Sequence, residues 1–124
     1  MSGETNTLYE RLGGYDAIAA VATDLVGRLQ RDAQLGRFWA HRGADGIKRE
    51  LQLLIDYLCA SAGGPVYYRG RDMKLAHTGM RISGSDWEVF LGHAAATLQK
   101  FTVPEREKGE VVAFVLSLKA DIVE

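Results

Sequence analysis

The sequence predicts an all-α fold, and three observations predict it. Apolar residues recur at helical spacing in four stretches, glycines and the two prolines concentrate at the joints, and helix-start signals mark two of the stretches. Ile18, Val21, Ala22, Leu25 and Leu29 form the first stripe, and Ile47, Leu51, Leu54 and Leu58 the second. Trp87, Phe90, Leu91, Ala94, Leu98 and Phe101 form the third, and Val111, Val112, Val115, Leu118 and Ile122 the fourth. Each stripe covers one face of a 3.6-residue period, and four such amphipathic helices can close a core. Ser85 with Glu88 and Thr102 with Glu105 have capping-box spacing, and Pro104 stands where a first-turn proline costs no hydrogen bond. Residues 62–70 are too rich in glycine, proline and aromatics for a helix interior, which predicts a loop, followed by a short helix carrying His77. No internal repeat or low-complexity stretch is present.

Composition narrows the class. At 124 residues, 47% of them hydrophobic, the chain suits one compact domain, 1–124, with a core. The net charge is −1 with both signs interspersed, so there is no basic stripe to follow a phosphate backbone, and nucleic acid is not an expected partner. No apolar run approaches the roughly 18 residues that suggest a membrane span. The polar opening, residues 1–7, lacks the apolar stretch of a signal peptide, so a cytoplasmic location is expected. The single cysteine, Cys59, permits no intrachain disulfide and, at an apolar helical position, reads as a small core residue.

The most informative segment is Asp72-Met73-Lys74-Leu75-Ala76-His77-Thr78-Gly79-Met80-Arg81-Ile82. A lone histidine on an apolar face is commonly a satisfied core residue, because neutral imidazole buries well once its ring N–H is bonded. Here the surroundings point elsewhere. The segment resembles the proximal-histidine signature of truncated haemoglobins. Leu8-Tyr9-Glu10-Arg11-Leu12-Gly13-Gly14 is similar to that family's opening, Gly63-Gly64-Pro65 with Tyr68 and Gly70 to its loop before the ligand helix, and Ala120-Asp121-Ile122-Val123 to its end. The resemblance, closest to the family's first group, implies a truncated globin, a two-over-two helical sandwich around haem.

It also implies a site. Haem is a flat apolar macrocycle with two carboxylates at one edge, so it needs apolar walls, an iron ligand, and cations or hydroxyls at its mouth. By the resemblance, His77 is the metal ligand and the cofactor is haem b. Without a Cys-x-x-Cys-His motif the haem is expected to be held non-covalently. Phe38 and Trp39 are placed where aromatics wedge against the ring, Leu54 and Leu58 on the distal wall, and Met73, Ile82, Trp87 and Phe90 on the proximal side. Taken singly, each also reads as ordinary core. Arg69, Arg71 and Lys74, with the Tyr68 hydroxyl, are candidates for the propionates by charge-assisted hydrogen bonds. Tyr68 and Lys74 are favoured because their counterparts in the family approach those groups.

On the distal side the chain departs from the family pattern. Relatives specialised for oxygen or nitric-oxide chemistry carry a tyrosine midway along the second helix and glutamines on the helix above the iron. Val26 falls at the tyrosine position, and Glu50, Leu53 and Leu54 at the distal polar ones, with a longer loop at 40–46. A largely apolar pocket is expected, with Thr23, Glu50 or Gln52 as its candidate polar members. His41 is expected in an exposed loop, with sixth-ligand service as the alternative, and His93 in helix packing. Neither belongs to a zinc constellation, and no catalytic triad motif is present. Glu50 and Asp56 read as polar positions of an amphipathic helix rather than as an acid and base pair.

The leading expectation is reversible binding of oxygen, carbon monoxide or nitric oxide at ferrous haem, in a monomer or weak homo-oligomer served by a reductase. One alternative is a haem redox enzyme, a nitric-oxide dioxygenase or peroxidase-like catalyst, which would need distal donors. Another is a haem-free globin-like interaction module.

Overall fold

The computed structural model describes residues 6–124; of the polar opening, residues 1–5 lie outside that range. The helices are α1 (Leu8–Leu12), α2 (Tyr15–Arg31), a 3-10 turn (Gly36–Trp39), α3 (Ala44–Ser61), α4 (Met73–His77), α5 (Gly84–Lys100), α6 (Glu105–Ser117) and α7 (Lys119–Ile122). There is no strand among the described residues, and no helix is long and apolar enough to cross a membrane. Helices α2, α3, α5 and α6 are the four long ones, as a two-over-two helical sandwich requires. Among them α2 packs against both α3 and α5, while α1 rests on α2 and α6, and α4 packs on α7.

The first stripe behaves as its period requires: Ile18, Ala22 and Leu29 are buried on α2. The second is rotated from expectation. Ile55 and Cys59 are the buried residues of α3, forming the core cluster with Ile18 and Ala22, while Leu51, Leu54 and Leu58 pack at its edge and stay half-buried. Both sides of α3 are apolar, so periodicity could not tell which side meets α2. Cys59 is a fully buried core residue, as expected, and burial pushes its thiol pKa up.

Caps differ from the expected ones. Helix α5 starts at Ser83 with Asp86, not at Ser85 with Glu88: the Ser83 hydroxyl accepts from Asp86 N–H at 3.0 Å, and the Asp86 carboxylate accepts from Ser83 N–H at 2.9 Å. Tertiary partners choose between two overlapping patterns, because buried Asp86 also accepts from Gln34 (2.6 Å) and Arg37 (2.7 Å). At α6 the Thr102–Glu105 box is absent. Thr102 has φ +49° with its hydroxyl donating to Phe101 O, and Pro104 is itself the N-cap. The fourth stripe also breaks, α6 ending at Ser117 before the short α7, with Val112 left exposed. A box absent from the expectations opens α1, where Thr7 and Glu10 cap each other. Arg11 then ties α1 to α6 through Glu107 and Glu110, both at 2.6 Å.

Candidate functional site

Helix α4 is one turn long, and its start is set by Asp72, whose carboxylate accepts from Leu75 N–H at 2.8 Å. That turn carries His77, half-buried, at its C-terminal end. The His77 Nδ1 lies 2.8 Å from the Met73 carbonyl oxygen. A carbonyl only accepts, so Nδ1 carries the proton and donates, which in the neutral ring leaves the Nε2 lone pair for a metal. No group of three or more His, Cys, Asp or Glu is placed to hold a metal among the described residues. A metal on His77 must therefore bring its other ligands with it, as a macrocycle does.

The apolar residues expected to form the walls have a common property. Phe38, Trp39, Leu54, Leu58, Met73, Ile82 and Phe90 are all half-buried, whereas Ala22 and Cys59 are fully enclosed. Only Trp87 is buried, 5.2 Å from the Phe90 ring, and its indole N–H has no hydrogen-bond partner among the described residues. Such a set of large side chains, withheld from the interior, fits a chain that reserves apolar surface for a flat ring. Leu58 also lines an apolar cavity of about 250 Å³ with Ile18, Val21, Leu98 and Phe114. Tyr57 escaped the sequence reading. Its ring meets Tyr68 edge-on at 5.2 Å and Phe114 at 5.9 Å, joining α3 to the loop before α4 and to α6. Its spacing from Leu54, three residues on, was the available signal.

At the polar edge the candidates separate. The Tyr68 hydroxyl donates to the Arg71 carbonyl at 2.5 Å, which commits its one proton within the loop. Lys74, Arg69 and Arg71 are exposed, and none pairs with a carboxylate among the described residues. Arg69 lies over the Tyr67 ring, 6.0 Å from its centroid, whereas Lys74 stands on α4 itself. Lys74 is thus the one of these cations carried by the helix that bears His77.

On the distal side the three candidate polar members are engaged elsewhere. The Thr23 hydroxyl donates to Ala19 O at 2.7 Å, and Gln52 donates to the Tyr15 hydroxyl at 2.7 Å and to Asp56 at 3.0 Å. Glu50 pairs with Arg42. Val26, Leu53 and Leu54 are half-buried. His41 is exposed, and His93 meets Asp32 across α5 and the end of α2 at 2.7 Å. That contact, with the backbone N–H groups of Leu35 and Gln34, holds the Asp32 carboxyl below its ordinary range.

Residues 7–124 match the bacterial-like globin family. The Group 1 truncated hemoglobin of Mycolicibacterium paratuberculosis is 28% identical over 119 residues, 96% of this chain and 85% of that protein. That of Nostoc commune is 31% identical over 88 residues, 71% of this chain and 72% of that protein. A variant of the truncated hemoglobin from Tetrahymena pyriformis, solved in its Fe(III) form, superposes with a TM-score of 0.84 at 26% identity, covering 95% of this chain and 98% of that one. The fold is shared equally with a 2/2 hemoglobin from Synechococcus, solved with covalently attached heme, at a TM-score of 0.85 and 24% identity over 95% of this chain and 98% of that one. Globins of this kind imply a haem cofactor, and the donor set at His77 fits one. The matches run from the Thr7 cap to the residues packed against α4, and on them the chain belongs to the bacterial-like globins and, among these, to the group 1 truncated haemoglobins.

Proposed function

We propose that this chain, as one truncated-globin domain, binds a diatomic gas reversibly at haem b, held non-covalently, with His77 as its one strong protein ligand to iron. When bound, haem supplies a ferrous iron with an open position for oxygen, carbon monoxide or nitric oxide. The observation that carries the reading is the Nδ1 to Met73 carbonyl bond, which fixes both the tautomer and the azimuth of the His77 ring. Phe38, Trp39, Met73, Ile82, Trp87 and Phe90 would clamp the macrocycle and exclude water, with Leu54 and Leu58 on the distal side. Lys74 would bind a propionate, and Tyr68 would hold the loop from which Arg71 extends. Non-covalent attachment is supported by the sole cysteine being buried in the core, away from any Cys-x-x-Cys-His arrangement. Ferric iron must be returned to the ferrous form, so an external reductase is the expected partner.

An apolar distal side, as the resemblance implies, favours binding over oxygen activation. Holding and polarising oxygen requires a directed donor, and the hydroxyl of Thr23 and the amide of Gln52 each donate elsewhere. The test is an absorption spectrum of the purified protein in ferric and ferrous forms. A Soret band with a carbon monoxide-sensitive ferrous form is expected, and a colourless protein from haem-supplemented cells would overturn the reading.

A further inference from the structure

We propose that Glu124 is a positioning residue for His77, acting through the loop 78–82 that leaves α4. The inference rests on the reading of His77 as the iron ligand. It starts from a weakness. A five-residue helix cannot hold itself together in water, so the orientation of His77 depends on what grips the two ends of α4. Asp72 grips the first end. At the second, the chain turns through Gly79 at φ +89° and Arg81 at φ +56°, the latter a conformation that a side-chain-bearing residue keeps only where its surroundings impose it.

Glu124 imposes it. One carboxylate oxygen accepts from Gly79 N–H at 3.1 Å and the other from Arg81 N–H at 2.6 Å, while the Glu124 N–H donates to Ile82 O at 2.8 Å. Between the two bridged residues, Met80 N–H donates to the carbonyl of His77 at 3.1 Å. The carboxylate therefore spans the residues on either side of the one that is bonded to the ligand's own backbone. Bonds from N–H groups to a carboxylate are the strong kind, and these two hold the Glu124 carboxyl below its ordinary range. Packing of α4 against α7 brings this residue to the loop.

The test uses the haem-loaded protein and variants Glu124→Ala and Glu124→Gln, with helix content checked by circular dichroism. The iron–histidine band in the resonance Raman spectrum of the ferrous form should shift or broaden in both. Haem transfer to an apoglobin acceptor should accelerate about ten-fold, the scale of one charge-assisted hydrogen bond. A second background separates positioning from general loosening. In His77→Gly filled with free imidazole, the ligand is no longer joined to the chain, so adding Glu124→Ala should leave the iron–imidazole band where it was. An unchanged iron–histidine band in both Glu124 variants, or an equal shift in the imidazole background, overturns the role of Glu124 while leaving His77 as the ligand. A native spectrum in His77→Gly without imidazole overturns the ligand assignment itself, and this proposal with it.

Discussion

The side-chain amide of Gln52 donates to the hydroxyl of Tyr15 at 2.7 Å, binding α3 to the start of α2 at the protein surface. A glutamine so engaged would be withdrawn from a gas bound at His77, and by the resemblance the family's distal tyrosine position falls on Val26. Two outcomes follow. Gln52→Ala should leave oxygen release unchanged. Val26→Tyr should slow oxygen release about five- to a hundred-fold, the scale of a hydrogen bond of about 1 to 3 kcal/mol to a partly charged acceptor. Carbon monoxide, which develops little negative charge when bound, should respond much less. Flash photolysis and stopped-flow displacement measure both gases. If both change equally, Val26→Tyr acts by blocking space, and faster oxygen release in Gln52→Ala would return that amide to the pocket.

His77→Gly should lose the native absorption spectrum, and imidazole added to the purified variant should restore much of it. The variant keeps the Asp72 cap, so α4 retains its N-terminal anchor and the vacated volume is filled from solution. His41→Ala is the control. Because His41 is exposed, its loss should leave the ferrous spectrum alone, and disappearance of a six-coordinate low-spin form in that variant would show that it reaches the iron.

What could be read from the sequence divides along a physical line. The α2 stripe was legible because one face of that helix is enclosed, at Ile18, Ala22 and Leu29. On α3, Leu54 and Leu58 lie beside the core cluster rather than within it, because that helix is apolar on two sides. Which side encloses Ile55 and Cys59 is a tertiary fact. The start of α5 was ambiguous for a related reason, since Ser83 with Asp86 and Ser85 with Glu88 have the same spacing. Gln34 and Arg37, about fifty residues away in sequence, decide between them. Glu107 is buried and paired with Arg11 from the far end of the chain, a pairing that no local pattern contains. Within the candidate site, the motif singled out His77, whereas the donor commitments of Gln52, Thr23 and Tyr68 were not legible, because a side chain's partner is set by where its helix lands.

Gly64→Ala should destabilise the fold by about 1 to 3 kcal/mol, the usual cost of forcing an extra methyl into close-packed surroundings. A Cβ at this position would stand 2.7 Å from Cε1 of Tyr9, against the ring rather than a flexible tip. Tyr9 packs on the core cluster, and its N–H donates to Ala62 O at 2.9 Å, so the ring cannot move without disturbing α1 and the start of the loop before α4. Chemical denaturation measures the loss. Gly46→Ala, inside α3 where nothing lies within 4 Å of the added methyl, is the control and should not destabilise. Equal stability of the two variants would show that Tyr9 yields.

Asp86 supplies the sharpest pH prediction. Its side chain is 2% exposed, and both carboxylate oxygens are occupied by donors from Arg37, with Gln34 on one oxygen and Ser83 N–H on the other. The Arg37 guanidinium, first among these, holds the carboxyl well below the usual aspartate range. A pKa depressed in the folded state contributes stability that is present above the unfolded pKa of about 3.9 and lost as pH falls towards the folded value. Asp86→Asn turns an N–H donor towards donors whichever way the amide is placed, and should cost on the order of 2 to 3 kcal/mol at neutral pH. The difference between the native protein and this variant should be flat above about pH 5 and shrink below about pH 4, because only the native chain loses the charged pair there. The depressed Asp32 carboxyl is common to both proteins, and its contribution cancels in the difference. The consequence reaches the site as well, since Arg37 also lies over the Phe38 ring at 4.3 Å. Asp86→Asn should therefore accelerate haem loss alongside the stability change, and a variant with native stability at neutral pH and an unaltered acid limb would refute the account of Asp86.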